Sequence, residues 1–279
     1  MSDKQTLEDV EDIEVELLIE GIHHRYGYDF THYSRAHMKR RIIHRMNKEG
    51  YDSVSKMQHD LLRDPVFFKR VLPDFSINVT EMFRDPHFFD YFRKEVVPYL
   101  ASFPKLKIWH AGCASGEEVY SMAILLQEEG LYDRATIYAT DFNDASLKVA
   151  KEGIYPSGAI REYTRNYVQS GGKKAFSDYY TAGYESVKMA NNLKAHISFQ
   201  NHNLVTDGVF GEMDLILCRN VLIYFDRDLQ NRVLNLFKDS LTATGTLCLG
   251  TKETIDYSSV ANGFTTLEHR LKVYRKKRT

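Results

Sequence analysis

The segment Ile108 to Glu118, reading Ile-Trp-His-Ala-Gly-Cys-Ala-Ser-Gly-Glu-Glu, constrains this chain more than any other feature. Some twenty residues later comes a second apolar run, which ends in Ala139, Thr140 and Asp141. The order is strand, glycine turn, helix, strand, carboxylate, which is the nucleotide-binding half of a doubly wound sheet. Gly112 and Gly116 let the backbone turn between an apolar strand and a helix. Asp141 falls at the carboxyl end of the next strand, where it can take a ribose diol.

The turn narrows the choice of nucleoside. A dinucleotide fingerprint needs Gly-x-Gly-x-x-Gly so that pyrophosphate meets bare helix amides. Here Ala114 fills a middle position and Glu117 opens the helix. A carboxylate there repels phosphate and suits a ligand with an ammonium and a sulfonium, the charge pattern of S-adenosylmethionine. The competing reading is that Glu117 and Glu118 only complement the positive end of the helix dipole.

With 279 residues and a formal net charge of −1, the chain has room for one large domain and a smaller one. That balance argues against a general polyanion binder, so nucleic acid is not an expected partner. The charge is unevenly spread. Asp3, Glu8, Asp9, Glu11, Asp12, Glu14, Glu16 and Glu20 face a single Lys4, whereas residues 35–48 and the end from Arg270 to Arg278 are basic. Cys113, Cys218 and Cys248 have neither metal-ligand nor disulfide-framework spacing, which fits a reducing cytosol. No apolar run reaches membrane-spanning length and the acidic start is no secretory signal, so a cytoplasmic location is expected.

Residues 1–12 are expected to be a mobile acidic terminus and residues 13–72 a small helical domain, in which Ile13, Leu17, Leu18 and Ile22 repeat at helical spacing. Between Met38 and Lys48, a 100° turn per residue puts Met38, Ile42, Ile43 and Met46 on one side and Arg40, Arg41, His44, Arg45 and Lys48 on the other. Such a face is either solvated or complementary to an acidic protein surface, and the second reading gains because no acid stands at i+4 within that segment to pair the cations. A connector over 73–88 contains Asn78, Thr80 and Arg84, then Asp85-Pro86 as the cap and first position of a helix. Residues 89–279 form the sheet domain, with strands at 107–111, 135–140, 213–218 and 245–250 and helices at 117–129 and 228–240. A closing strand pair lies over 264–276. An antiparallel insert is expected at about 155–200.

Five blocks in order along the chain resemble the CheR-type chemotaxis receptor methyltransferases. They are Ser76 to Asp85 (Ser-Ile-Asn-Val-Thr-Glu-Met-Phe-Arg-Asp), Ala111 to Ser121, Ala139 to Asp141, His202 to Leu204, and Leu217 to Phe225 (Leu-Cys-Arg-Asn-Val-Leu-Ile-Tyr-Phe). The likeness spans roughly residues 13–276. It implies an α/β fold, a Rossmann-like methyltransferase sheet with a small antiparallel insert and an N-terminal all-helical domain. It also implies a protein-glutamate O-methyltransferase that uses S-adenosylmethionine, needs no metal, and acts on the cytoplasmic helical bundle of chemoreceptors. By the same resemblance Asn78, Thr80 and Arg84 match the loop before the sheet that touches the cofactor. Gly112 lies in the glycine turn, Glu117 matches the position that takes the methionine ammonium, and Asp141 matches the ribose ligand. Asn203 and Leu204 match the adenine flank, and Asn220 and Val221 match the loop beside the transferred methyl. Arg84 and Tyr224 are the candidates for orienting the substrate, with Arg219 also in that loop, and Arg40, Arg41 and Arg45 for docking it. A glutamate carboxylate is ionised near neutral pH, so no general base is expected. The open alternatives are a methyltransferase for a small molecule or RNA, and a noncatalytic module that senses S-adenosylmethionine or S-adenosylhomocysteine.

Overall fold

The computed structural model describes residues 3–75 and 80–278, with side chains described from Asp9 onward. Two units result, Met1–Ile77 with Tyr224–Arg232, and Asn78–Ile223 with Val233–Thr279. The chain therefore leaves the larger unit at Tyr224, joins the smaller one for nine residues, and returns.

The smaller unit holds α1 (Asp3–Tyr26), α2 (Arg35–Glu49), α3 (Val54–Arg63) and α4 (Pro65–Phe75). Helix α1 begins at Asp3, so the described part of the acidic start is helical. Val15, Leu18, Ile19 and Ile22 of α1 are buried together with Met38 and Ile42 of α2, Met57 and Leu61 of α3, and Phe68 and Val71 of α4. Each large side chain so removed from water contributes roughly 1.5–3 kcal/mol. Gly50 stops α2 with a φ of 79° and returns its N–H to the Asn47 and Met46 carbonyls, and Ser53 Oγ caps α3 by accepting from the Lys56 N–H. The segment 224–232 is stitched to this unit by backbone bonds, Ser34 N–H to the Tyr224 carbonyl at 2.7 Å and Asp226 N–H to the His32 carbonyl at 2.9 Å.

The larger unit opens with α5 (Pro86–Tyr91), a single π-turn at Phe92–Val96, and α6 (Val97–Leu100). Next come β1 (Leu106–Ala111), α7 (Glu117–Glu128), β2 (Ala135–Asp141), α8 (Asp144–Glu152), β3 (Ile154–Pro156), α9 (Ile160–Gln169), β4 (Tyr180–Ala182), β5 (Ser186–Met189) and β6 (Ile197–Asn201). The fold closes with β7 (Met213–Cys218), α10 (Arg227–Ser240), β8 (Leu241–Leu249), β9 (Phe264–Glu268) and β10 (Val273–Lys276). Seven strands make one sheet in the order β6-β2-β1-β7-β8-β10-β9. The pairs from β6 to β8 are parallel, and β10 is antiparallel to both its neighbours. β1 and β7 lie in the interior of the sheet and are almost wholly buried, which is why their sequences are mostly apolar, broken only by Lys107 and His110 in β1 and Asp214 in β7. Trp109 on β1 is fully buried and donates its indole N–H to Thr140 Oγ1 at 2.8 Å, which ties β1 to β2.

A separate three-stranded sheet, β3-β5-β4, is antiparallel as expected for the insert. Its limits differ from the expected 155–200 in two ways. A ten-residue helix, α9, lies inside the span, and the last part, β6, pairs parallel with β2 as the edge of the main sheet.

Candidate functional site

At the carboxyl end of β1, three alternate turn residues adopt positive φ values: Gly112 at 75°, Ala114 at 47° and Gly116 at 91°. A Cβ on Gly112 would lie 2.7 Å from Val221 Cγ2, so only glycine lets the turn reach the loop that follows β7. The turn amides are already engaged. Gly112 and Cys113 N–H both donate to the Thr140 carbonyl at 2.9 Å, Ala114 N–H donates to Asp141 Oδ2 at 2.9 Å, and Gly116 N–H donates to the Cys113 carbonyl at 3.0 Å. Pyrophosphate would have to compete for them with a carboxylate and two carbonyls.

The side chains around this turn are acidic and buried. Glu117, 6 % exposed, accepts from Ser115 Oγ at 2.7 Å and from the Tyr163 hydroxyl at 3.5 Å. Burial pushes its pKa up to about 7, against the opposing pull of the Ser115 hydroxyl, its own backbone amide and Tyr163. Asp141 at the end of β2 also has its pKa raised by burial, although the amides of Asn143, Ala114 and Phe142 oppose the shift. Beside it, His202 N–H donates to the Asp141 carbonyl at 3.2 Å and so carries Asn203 and Leu204 to the same strand end. Leu204 is buried, and Asn203 Oδ1 accepts from the Val205 N–H at 3.0 Å to fix the turn.

After β7, Asn220 takes a left-handed φ of 62°. The side chain that imposes this loop is Glu253, which no sequence motif singled out. Its Oε1 accepts from the Val221 N–H at 2.8 Å and the Ile223 N–H at 3.3 Å. Its Oε2 accepts from the Asn220 N–H at 3.0 Å and the Gly250 N–H at 2.5 Å. Those partners are backbone amides, which leave no trace in residue identity; the only sequence signal is an acid three residues beyond the strand-ending Gly250.

Arg219 is not a substrate-facing cation. Its side chain is 1 % exposed and donates to Glu118 Oε2 at 2.9 Å, to Asp85 Oδ2 at 2.7 Å and to the Arg84 carbonyl at 3.3 Å, with its guanidinium over the Phe88 ring. Glu118 also accepts from His110 Nδ1 at 3.0 Å. Burial works against the Glu118 charge, yet His110 and Arg219 together hold its pKa below the ordinary carboxylate range. Asp85 occupies the cap position before Pro86, but its φ is 58° and its side chain makes no cap bond. Its carboxylate serves Arg219 instead, and the network fixes the backbone at Arg84. Thr80 and Arg84 are half-buried in the segment leading to α5, and Asn78 lies outside the described residues.

The docking expectation needs correction at Arg45. Its side chain is 5 % exposed and pairs with Glu49, four residues on, and with Asp74 Oδ2 at 2.6 Å. Arg41 is half-buried, donates to the carbonyls of Asp74 at 3.1 Å and Phe75 at 3.3 Å, and lies 5.6 Å from the Tyr224 ring centre. The exposed basic stripe of α2 is Arg40, His44 and Lys48, at successive i+4 positions. Tyr224 belongs to the smaller unit, where its ring meets His37 edge-on.

Two family descriptions match this chain in register with its two units. A "CheR methyltransferase, SAM binding domain" matches residues 78–272, and a "CheR methyltransferase, all-alpha domain" matches residues 13–76. The chain belongs to the CheR methyltransferase family. Among relatives of the same family, the Pseudomonas putida protein Cher3 is 49 % identical over 95 % of this chain and 97 % of its own length. A chemotaxis protein methyltransferase of Listeria innocua is 34 % identical over 82 % of this chain and 85 % of its own. Chemotaxis protein methyltransferase 1 of Vibrio cholerae is 34 % identical over 70 % and 74 %, respectively. The chemistry of the CheR family is methyl transfer from S-adenosylmethionine, and the Rossmann-like sheet with its helical partner unit is the expected architecture. Among the described residues no helix is long and apolar enough to cross a membrane.

Proposed function

We propose that this CheR-family chain methylates glutamate side chains in the cytoplasmic helical domain of chemoreceptors, working in the cytoplasm and giving glutamate methyl esters and S-adenosylhomocysteine. The observation that carries the cofactor half of this reading is electrostatic. Glu117, Asp141 and Glu253 are buried carboxylates at the ligand end of the sheet, and burial raises the pKa of each. Such a site gains when a cation arrives and loses when a phosphate does, and the turn amides that would compensate a phosphate are engaged. The residues fit S-adenosylmethionine: Glu117 for the ammonium, Asp141 for the ribose, Asn203 and Leu204 for the adenine, and Asn220 and Val221 for the methionine part.

When bound, that cofactor supplies a methyl group already activated by a sulfonium. The chain's own task is alignment and exclusion of water, for which effective molarity supplies about 7–11 kcal/mol in favourable cases. Arg84, its backbone pinned by the buried Arg219, orients the incoming carboxylate. A guanidinium that gripped the carboxylate fully would oppose a transition state in which that charge disappears, so Arg84 orients without neutralising. No base is required, because a glutamate with a pKa of about 4.3 is ionised before it binds.

The docking half rests on the exposed stripe Arg40, His44 and Lys48, complementary to a glutamate-rich helix. Radiolabelled methyl transfer to receptor-bearing membranes tests the whole reading, and the label should be released by mild base as a carboxyl ester would be. Label in RNA or in a small molecule, or cofactor binding with no transfer, would replace it.

A further inference from the structure

We propose that the exposed face of α1 is a docking surface for a basic amphipathic helix of a second protein. That partner is additional to the methyl acceptor and does not depend on the acceptor's identity.

A surface helix ordinarily carries one apolar stripe, turned to the core. Helix α1 has two. Val15, Leu18, Ile19 and Ile22 form the first and are buried, whereas Val10, Ile13 and Leu17 are 48 %, 58 % and 50 % exposed. At 100° per residue these three fall within about 60° of arc, and Asp9, Glu16 and Glu20 occupy the adjoining arc of about 40°. A single exposed apolar residue needs no explanation, but a contiguous apolar row beside a row of like charges is the pattern of an interaction surface.

The acid row has charge to offer. Among the described residues no cation pairs with Asp9 or Glu20, and Glu16 meets Arg35 at 3.2 Å in a pair whose side chains are at least half exposed. Such a pair is worth little and gives way to a better one. On the other flank of the row, between α1 and α2, lies a cavity of about 400 Å³ that shares Glu16 and Glu20 and is lined on its apolar side by Val15, Ile19 and Phe30. A helix laid along the acids therefore finds apolar surface on both sides of them, with room for a large side chain in the cavity.

Charge decides the occupant. The glutamate-rich helix proposed as substrate would be repelled from this face, as would nucleic acid or an anionic membrane surface. A second copy docking through the same face would set acid row against acid row. A helix with an apolar stripe bordered by Lys or Arg satisfies both rows at once, and it leaves the basic stripe of α2 to the acidic substrate.

The test uses the full chain and two fluorescein-labelled helical peptides of about three heptads, one with Leu at the apolar and Lys at the polar positions, the other with Glu replacing Lys. Fluorescence anisotropy should show micromolar binding of the Lys peptide only. Ile13→Gln with Leu17→Gln should weaken it about tenfold or more, and Asp9→Asn with Glu20→Gln about threefold or more. Arg40→Gln with Lys48→Gln should leave it unchanged. Gln suits a helix, and circular dichroism should match the wild type in every variant. Lys-peptide binding that is absent, that survives both α1 variants, or that the Glu peptide equals would overturn the proposal. A dimer in sedimentation velocity that dissociates in the Ile13→Gln, Leu17→Gln variant would overturn it as well, by assigning the face to a second copy of this chain.

Discussion

Glu117 shows at the scale of one side chain how this site trades stability for binding. Its pKa in the fold is about 7, above the ordinary glutamate value, so the folded state holds its proton more tightly than the unfolded chain does. Its contribution is therefore fully present below the unfolded pKa and is lost as pH rises through about 7. The ligand-free protein should show a falling melting temperature between roughly pH 5 and 7.5, and Glu117→Gln should flatten that slope. Affinity runs the other way, because an ammonium pairs with the ionised form. S-adenosylhomocysteine should bind more tightly as pH rises from about 5.5 to 7, and Glu117→Gln should cost about 2 kcal/mol at pH 7.5 and abolish the trend. A pH-independent wild-type affinity by calorimetry would contradict this assignment. Gly112→Ala joins a strained φ of 75° to a contact of 2.7 Å with Val221, and a destabilisation of about 2 kcal/mol or more is expected by denaturant titration, together with weakened cofactor binding. For Arg84, Lys keeps the charge but not the planar fork, so Arg84→Lys should lower kcat clearly; near wild-type turnover would argue against an orienting role.

At the scale of elements, α2 separates residues that hold the fold from residues available to a partner. Arg45→Ala takes its cation from the Asp74 carboxylate and leaves Glu49 with Arg70 alone, at 3.0 Å, and a loss of about 2–3 kcal/mol in chemical denaturation is expected. Reversal of Arg40 and Lys48 to Glu should leave stability and cofactor affinity nearly unchanged while raising the receptor KM; unaltered receptor kinetics would detach the stripe from docking. The helical period of α2 was legible in the sequence, and so was its basic side. What misplaced Arg45 was a neighbour that the 38–48 window excluded, Glu49 at i+4, and one 29 residues away, Asp74, which only the packing of α4 on α2 brings near. The same logic separates the strands. β1, β2 and β7 announce themselves as apolar runs because interior parallel strands are covered on both faces. β6 is a half-exposed edge strand, and its mixed pattern reads equally well as part of a hairpin. In the site, Glu117, Asp141 and the Asn220 loop were legible because glycines and strand ends bracket them. Glu253 was not, because its partners are four main-chain amides drawn together from two strand ends.

At the scale of the whole molecule, the chain crosses between its two units at three places, after Ile77, after Ile223 and after Arg232. The helical unit is completed by nine residues that the sheet unit's own sequence supplies, held by the Tyr33–Phe225 bridge and the His32–Asp226 pair. The smaller unit is thus no detachable appendage. A fragment beginning at Asn78 would carry Tyr224–Arg232 stripped of their partners, and limited proteolysis should cut there first. Conversely, cleavage of the intact protein at an engineered site between Ile77 and Asn78 should yield two polypeptides that still co-elute under native conditions. The two halves expressed as separate genes should then restore one another by complementation.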